Sequence, residues 1–213
     1  MKKAARIIVM KGGPYRVIGG VPLAERRIAL KHGDYCYEDG RELPQREEYY
    51  LCRCGLSRRH PFCDGRHIQA GFVGQETAAK TPYLDRAQLL KGSKVSLLDD
   101  GRCALARFCH TRRGDTWEMV EECRDEEQRE LAISSANACP AGRITAVNNE
   151  TGEWYEPELE PGIDVLQDPM ADCSAPLYVK GGIPIEAADG MEYPAQNRVT
   201  LCRCGASRNK PFC

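Results

Sequence analysis

The sequence predicts a β-rich α+β protein: two small β modules whose sheets face one another, flanking an α+β insert. Three observations carry that expectation. A cysteine block at residues 51–63 returns at 201–213, changed only at Leu56/Ala206, Arg59/Asn209 and His60/Lys210. A second block, Val17-Ile18-Gly19-Gly20-Val21-Pro22-Leu23, has a counterpart in Val179-Lys180-Gly181-Gly182-Ile183-Pro184-Ile185. The stretch between the copies has another pattern. Repetition of this kind marks units that bury their apolar faces against each other, and neither copy alone is long enough to bury much.

In chain order, residues 6–9, 15–18 and 48–51 read as strands of the first copy, with Gly and Pro supplying the turns. The two blocks are offset by 162 and 150 residues, so the first copy carries twelve more residues between them, which the sequence places in a turn-rich stretch at 32–43. In the insert, 94–98 reads as a strand and 126–138 as a helix, with Leu131, Ala132 and Ile133 apolar and charges on the leading turns. Residues 143–147 and 153–156 read as a hairpin across 149–152. Trp117, Met119 and Val120 read as core. Strands at 177–179 and 198–201 repeat the first copy's pattern. The resulting units are 1–80, 81–160 and 161–213.

Composition narrows the function. The chain has 30 basic and 31 acidic residues, a net charge of -1, so no strong field favours nucleic acid or an anionic membrane. Apolar runs such as 7–10 are far below the ~20 residues that span a bilayer, and no apolar stretch follows Met1-Lys2-Lys3 to make a signal peptide. The expected setting is the cytoplasm, where thiols stay reduced and a dense set points to metal or redox chemistry before disulfides. There are twelve cysteines. Cys36, Cys123 and Cys173 stand alone and read as buried, inert thiols. No phosphate-loop, dinucleotide or hydrolase motif is present, and no substrate pocket is legible, so the expectation is a protein that is not an enzyme.

Cys52, Cys54, Cys63 and His67 form the densest donor set. Thiolates and imidazole suit both zinc and iron–sulfur clusters. Zinc would take all four on one tetrahedral ion. A 2Fe–2S cluster would take Cys52 and Cys54 on one iron and Cys63 and His67 on the other. A C-x-C pair is unusual for zinc knuckles, which favours the cluster without excluding zinc.

The string Cys52-x-Cys54-x2-Ser57-x3-Pro61-x-Cys63-Asp64-Gly65-Arg66-His67 resembles the CDGSH iron–sulfur domain family, the mitoNEET-like proteins, in a tandem form. Arg66 departs from the small residue of the family's signature. The resemblance implies a 2Fe–2S cluster on Cys52, Cys54, Cys63 and His67, made redox-active, proton-coupled and labile by its histidine. It also implies that the two modules form an internal pseudo-dimer, so the protein is expected as a monomer. Cys202, Cys204 and Cys213 repeat the three thiolates of a second cluster. The family pattern calls for Asp-Gly-x-His directly after Cys213, so the natural chain is expected to continue. Independently, a neutral imidazole in place of a thiolate raises the reduction potential, and protonation of its coordinating nitrogen favours release at low pH. Gly55 and Gly65 are expected to bring backbone amides close to the sulfurs, and Asp64 to accept amides or cap the following turn, or simply to be a solvated turn residue.

Cys103, Cys109 and Cys139-Pro140 follow a C-x5-C…C-P pattern. It resembles single-cluster ferredoxins and, more closely, a divergent ferredoxin-like domain found beside CDGSH motifs. That implies a 3Fe–4S or 4Fe–4S cluster in the insert. A degenerate structural insert or bound zinc are the alternatives. No fourth thiolate stands nearby, Cys123 joins only if the fold brings it in, and His110 is either a ligand or a surface residue. The basic runs Arg58-Arg59-His60 and Arg208-Asn209-Lys210 form a solvated face, offset cluster charge or dock an acidic partner. The function expected is electron transfer, redox sensing or cluster transfer, with a redox protein or cluster acceptor as partner. A structural zinc module is the rival.

Overall fold

The structure of the protein is a computed structural model that describes residues 4–213. Met1–Lys3, examined above for a leader, lie outside the described residues. Among the described residues no helix is long and apolar enough to cross a membrane.

The first part of the chain forms strands β1 (Arg6–Val9), β2 (Tyr15–Ile18), β3 (Leu23–Lys31), β4 (Asp34–Asp39) and β5 (Glu48–Leu51), then the single turn of helix α1 (Arg66–Gln69). The middle contains α2 (Tyr83–Arg86), β6 (Gln88–Leu90), β7 (Val95–Asp99), β8 (His110–Thr111), β9 (Gly114–Asp115), α3 (Thr116–Glu121), α4 (Glu126–Asn137), β10 (Ile144–Asn148) and β11 (Trp154–Tyr155). The last part has β12 (Gly162–Gln167), β13 (Leu177–Lys180), β14 (Ile185–Glu186) and β15 (Arg198–Leu201). The strands read from sequence at 6–9, 15–18, 48–51 and 198–201 coincide with β1, β2, β5 and β15.

Three sheets organise the chain: β14-β1-β2-β5, β15-β13-β12-β3-β4 and, in the insert, β11-β10-β7-β6. A two-stranded β8–β9 ribbon accompanies them. The first two sheets are built alike and share strands. β1, β2 and β5 form an antiparallel meander, and β12, β13 and β15 form its counterpart. Each meander takes its fourth strand from the other half. β14 adds in parallel to β1, with Ile7 opposite Ile185, and β3 adds in parallel to β12, with Ile163 opposite Leu23. The strand that crosses is in each case the one following a Gly-Gly turn.

Alternation turns one face of each sheet into a common core, and the second sheet also buries its other face, where Leu166 and Tyr178 pack with Phe108. Ile7, Val9, Tyr15, Val17, Tyr49 and Leu51 point inward from one half, and Ile163, Val165, Leu177, Val179, Val199 and Leu201 from the other, into a single core. The sequence expectation of two facing sheets with one core holds. Two details differ. The stretch 32–43 is not merely turns: Asp34–Asp39 pairs along β3 as a hairpin about His32–Gly33, because Tyr35 and Tyr37 alternate and pack under Phe108. Of the three isolated cysteines, Cys123 is buried, Cys36 is half-buried and Cys173 is exposed. Cys173 lies just past a short 3-10 turn at Pro169–Ala171, at the rim of its sheet rather than under it.

The insert has its own core of Val95, Leu97, Met119, Val120, Ala132, Ala136, Ile144 and Ala146. Asp115 closes a capping box with Glu118 at the start of α3, and Asp125 caps α4 by accepting from the Gln128 amide at 2.9 Å. Arg143 grips Asp99 with two bonds of 2.7 Å, tying β10 to β7. The hairpin read from sequence is present, with Ala146 opposite Tyr155.

Candidate metal centres

Beyond β5 the backbone doubles back and brings Cys52 and Cys63 together. The Cys52 amide donates to the Pro61 carbonyl and the Cys63 amide to the Tyr50 carbonyl, both at 2.8 Å. Ser57 Oγ locks the loop, donating to the Phe62 carbonyl at 2.6 Å and accepting from the Arg59 amide at 3.0 Å. Gly65 then turns the chain into α1, whose first turn carries His67 back towards Cys63.

The donors fall into two pairs. Cys52 Sγ and Cys54 Sγ are 3.8 Å apart, and Cys63 Sγ and His67 Nδ1 are 3.4 Å apart. Two thiolates ~2.3 Å from one ion at the tetrahedral angle stand about 3.8 Å apart, and a thiolate and an imidazole nitrogen about 3.6 Å. Each pair therefore has the spacing of two ligands on one metal ion. Among the described residues no group of three such donors is arranged to hold one ion.

The surroundings suit bound metal. Burial pushes the Cys54 and Cys63 thiols up, and the Cys52 thiol pushes each further. Thiols crowded in this way resist ionisation until a cation is among them. The Gly65 amide donates to Cys63 Sγ at 3.5 Å. Asp64 is no idle turn residue: it accepts from the Arg58 amide at 2.8 Å and the Arg66 amide at 3.3 Å, and these bonds, the Arg58 one foremost, hold its carboxyl below the usual range. As expected from sequence, the Gly55 turn (φ 79°) lets a backbone amide, that of Leu56, bond the Cys54 sulfur, and Gly55 does more. It abuts the other module: a Cβ there would stand 2.7 Å from the Cys204 carbonyl oxygen.

The second copy reproduces the loop. The Cys202 amide donates to Pro211 at 2.8 Å, the Cys213 amide to Thr200 at 2.9 Å, and Ser207 Oγ to Phe212 at 2.7 Å. Cys202 Sγ and Cys204 Sγ are 3.6 Å apart. The Cys213 thiol is pushed up to about 12, first by burial and then by Cys202, Cys204, Cys103 and Cys173. Cys54 and Cys204 pair across the two modules as an isolated antiparallel bridge, so the sites meet back to back.

Three residues at these sites escaped the sequence reading. Arg53 and Arg203, each between two cysteines, turn inward and are buried. Arg53 bonds the Met10 and Gly74 carbonyls, and Arg203 those of Ala175 and Leu166. Arg53 Nε and Arg203 Nη1 are buried donors with no acceptor in the protein, one from each cysteine pair, which fits an anionic group at each site. Their identity in both copies was the available signal. Tyr15, from the first module, donates to the Cys202 carbonyl at 2.7 Å and lies 2.9 Å from the Pro211 carbonyl. Tyr15→Phe takes the donor from the buried Cys202 carbonyl, while the Pro211 carbonyl keeps the Cys202 amide, and is expected to lower stability by about 1–3 kcal/mol. Thermal unfolding checks the cost, and iron per chain should fall at the second site while the first keeps its metal.

In the insert, Cys103, Cys109 and Cys139 line one small cavity together with Trp117, Pro140 and Arg143. The loop between Cys103 and Cys109 is left-handed at two non-glycine residues, Leu105 (φ 56°) and Arg107 (φ 65°), and the Leu105 amide donates to Cys103 Sγ at 3.3 Å. Burial first, then Cys139 and Cys103, push the Cys109 thiol up to about 11. Cys123 does not line this cavity, its Sγ lying 3.6 Å from the Asp125 carbonyl, and His110 is exposed on β8.

The fold and the paired donors define a metal-binding protein built from two interlocked β modules. Residues 12–68 and 174–213 match the family model for the iron-binding zinc finger of CDGSH type, so the chain carries this iron-binding domain twice. No curated protein and no solved structure matches the chain.

Proposed function

We propose that the protein holds a 2Fe–2S cluster on Cys52, Cys54, Cys63 and His67, and a second on Cys202, Cys204, Cys213 and a fourth ligand. The observation that carries this is that the first donor set falls into two pairs, at 3.8 and 3.4 Å, while among the described residues no three donors converge on one ion as a zinc site needs. Strand exchange between the modules and the Cys54–Cys204 bridge support an internal pseudo-dimer, and with it a monomeric protein. In the insert the convergence of Cys103, Cys109 and Cys139 supports a 3Fe–4S or 4Fe–4S cluster and a ferredoxin-like reading.

A bound 2Fe–2S cluster supplies one-electron redox chemistry. The chain tunes it. His67 contributes no charge where a thiolate would contribute one, which raises the potential, and the Gly65 amide draws charge from Cys63 Sγ. Asp64 fixes the turn that aims His67. We read the protein as an electron or cluster carrier of the cytoplasm that serves a redox partner or cluster acceptor and is not itself an enzyme. Anaerobically purified protein is expected to be coloured, and its visible absorption to bleach with dithionite. Cys63→Ser should remove about one 2Fe–2S cluster per chain and leave the fold cooperative. A colourless protein that dithionite leaves unchanged would refute the reading.

A further inference from the structure

The insert is fastened to one module at the very loops that carry its thiols. Arg198, on β15 four residues before Cys202, has a fully buried side chain. Its Nη1 donates to the carbonyls of Ala136, Asn137 and Cys139 at 2.9, 2.8 and 2.9 Å, and its Nη2 pairs with Glu156 at 2.7 Å. One guanidinium thus collects the end of α4 and the Cys139–Pro140 corner onto the strand that leads to Cys202. Gly142 brings the backbones closer still, since a Cβ there would stand 2.3 Å from the Arg198 carbonyl oxygen.

A second tie lies on the other flank. Arg102, next to Cys103, stacks its guanidinium 4.3 Å from the centroid of Phe212, next to Cys213. Its Nη2 reaches the Ala79 carbonyl at 3.3 Å. Between these ties the cysteine loop itself is packed: Ala106 and Phe108 are buried with Leu166 and Tyr178 of the second sheet. The second site in turn meets the first through the Cys54–Cys204 bridge.

We propose that the insert's thiol site and the second CDGSH-type site work as an electron-exchange pair, with Arg102 and Arg198 as the residues that position the two ligand loops, and with the second site in the middle of a three-site chain. This rests on the reading that the insert is loaded. The exchange moves one electron: the set at Cys103, Cys109 and Cys139 is oxidised by one, the set at Cys202, Cys204 and Cys213 is reduced by one, and no covalent bond forms or breaks. The electron comes from an external one-electron reductant, dithionite in the test.

The test is electron paramagnetic resonance on the fully reduced full-length chain, with iron and sulfide counted on the same sample. The insert's signal is expected to be broadened by a neighbouring spin. Cys204→Ser should leave it narrow, whereas Cys63→Ser should leave the broadening in place. Arg102→Met, which keeps every thiol, should weaken the broadening. In metal-free protein Arg102→Met should speed alkylation of Cys103 and Cys213 by roughly tenfold and leave Cys63 unchanged, as loosening of one local contact does. Arg198→Met should do the same at Cys139, with Arg198→Lys restoring part of the protection. Three independent signals, unmoved by Cys204→Ser, would overturn the pairing while leaving the loaded insert intact. An iron count near four with no third signal would overturn the pairing together with the insert's cluster.

Discussion

Gly55→Ala is expected to strip metal from both CDGSH-type sites, not only from the one it belongs to. Gly55 has φ 79°, and its missing side chain is the space into which the Cys204 backbone fits, with the carbonyl oxygen 2.7 Å and the carbonyl carbon 3.0 Å from a Cβ built there. Backbone cannot step aside as a flexible side chain can. The Cys54–Cys204 bridge must open, and each cysteine is one of the ligands proposed for its site. Left-handed strain and the collision together are expected to cost on the order of 3 kcal/mol. Gly205→Ala should behave alike, because its Cβ would meet the Cys54 carbonyl oxygen at 2.6 Å. Gly65→Ala is the control: φ is 86°, yet nothing lies within 4 Å, so only the strain of about 1 kcal/mol applies and the second site keeps its iron. Thermal unfolding and iron per chain separate the three.

The second large effect belongs to His67. On the ligand set proposed above, His67→Cys exchanges a neutral ligand for an anionic one at a position 3.4 Å from Cys63 Sγ. The first site's reduction potential should fall by on the order of 100 mV or more, in the direction that separates all-thiolate from histidine-ligated two-iron centres. The acid sensitivity should change with it. A proton that binds the coordinating nitrogen displaces metal, so wild-type colour should fade as the pH is lowered, and the variant should hold its colour further into acid. Redox titration and the decay of visible absorption read the two consequences. An unchanged potential would place His67 outside the metal's ligands.

The legible parts of this molecule were those carried by local pattern. The repeated cysteine loops, the alternating strands beside them and α4 with its acidic first turn all follow from spacing within a dozen residues. The exchange of β3 and β14 between sheets was not legible, because parallel pairing of Ile7 with Ile185 joins residues from opposite ends of the chain, and nothing in either strand names its neighbour. The hairpin of β3 and β4 was masked by a His-Gly turn and charged residues that read as loop, although Tyr35 and Tyr37 are held by Phe108 of the insert. Cys173 was misjudged because a cysteine's burial depends on what covers it, and it lies exposed past β12, bridged to Asp168. At the sites, the candidate donors were readable, but the residues packed and bonded around them were not. Arg53 and Arg203, each between two cysteines, are buried clamps, and Arg198, at the start of the strand at 198–201, holds three carbonyls of the insert. Long-range hydrogen bonds of this kind leave no periodicity to find.

Counting iron, acid-labile sulfide and zinc on one anaerobic preparation tests the two-iron assignment most directly. Paired donors predict iron and sulfide in near-equal amounts, about two of each for every filled CDGSH-type site, and almost no zinc. About one zinc per site with no sulfide would mean that the four donors close around a single ion, contradicting the account.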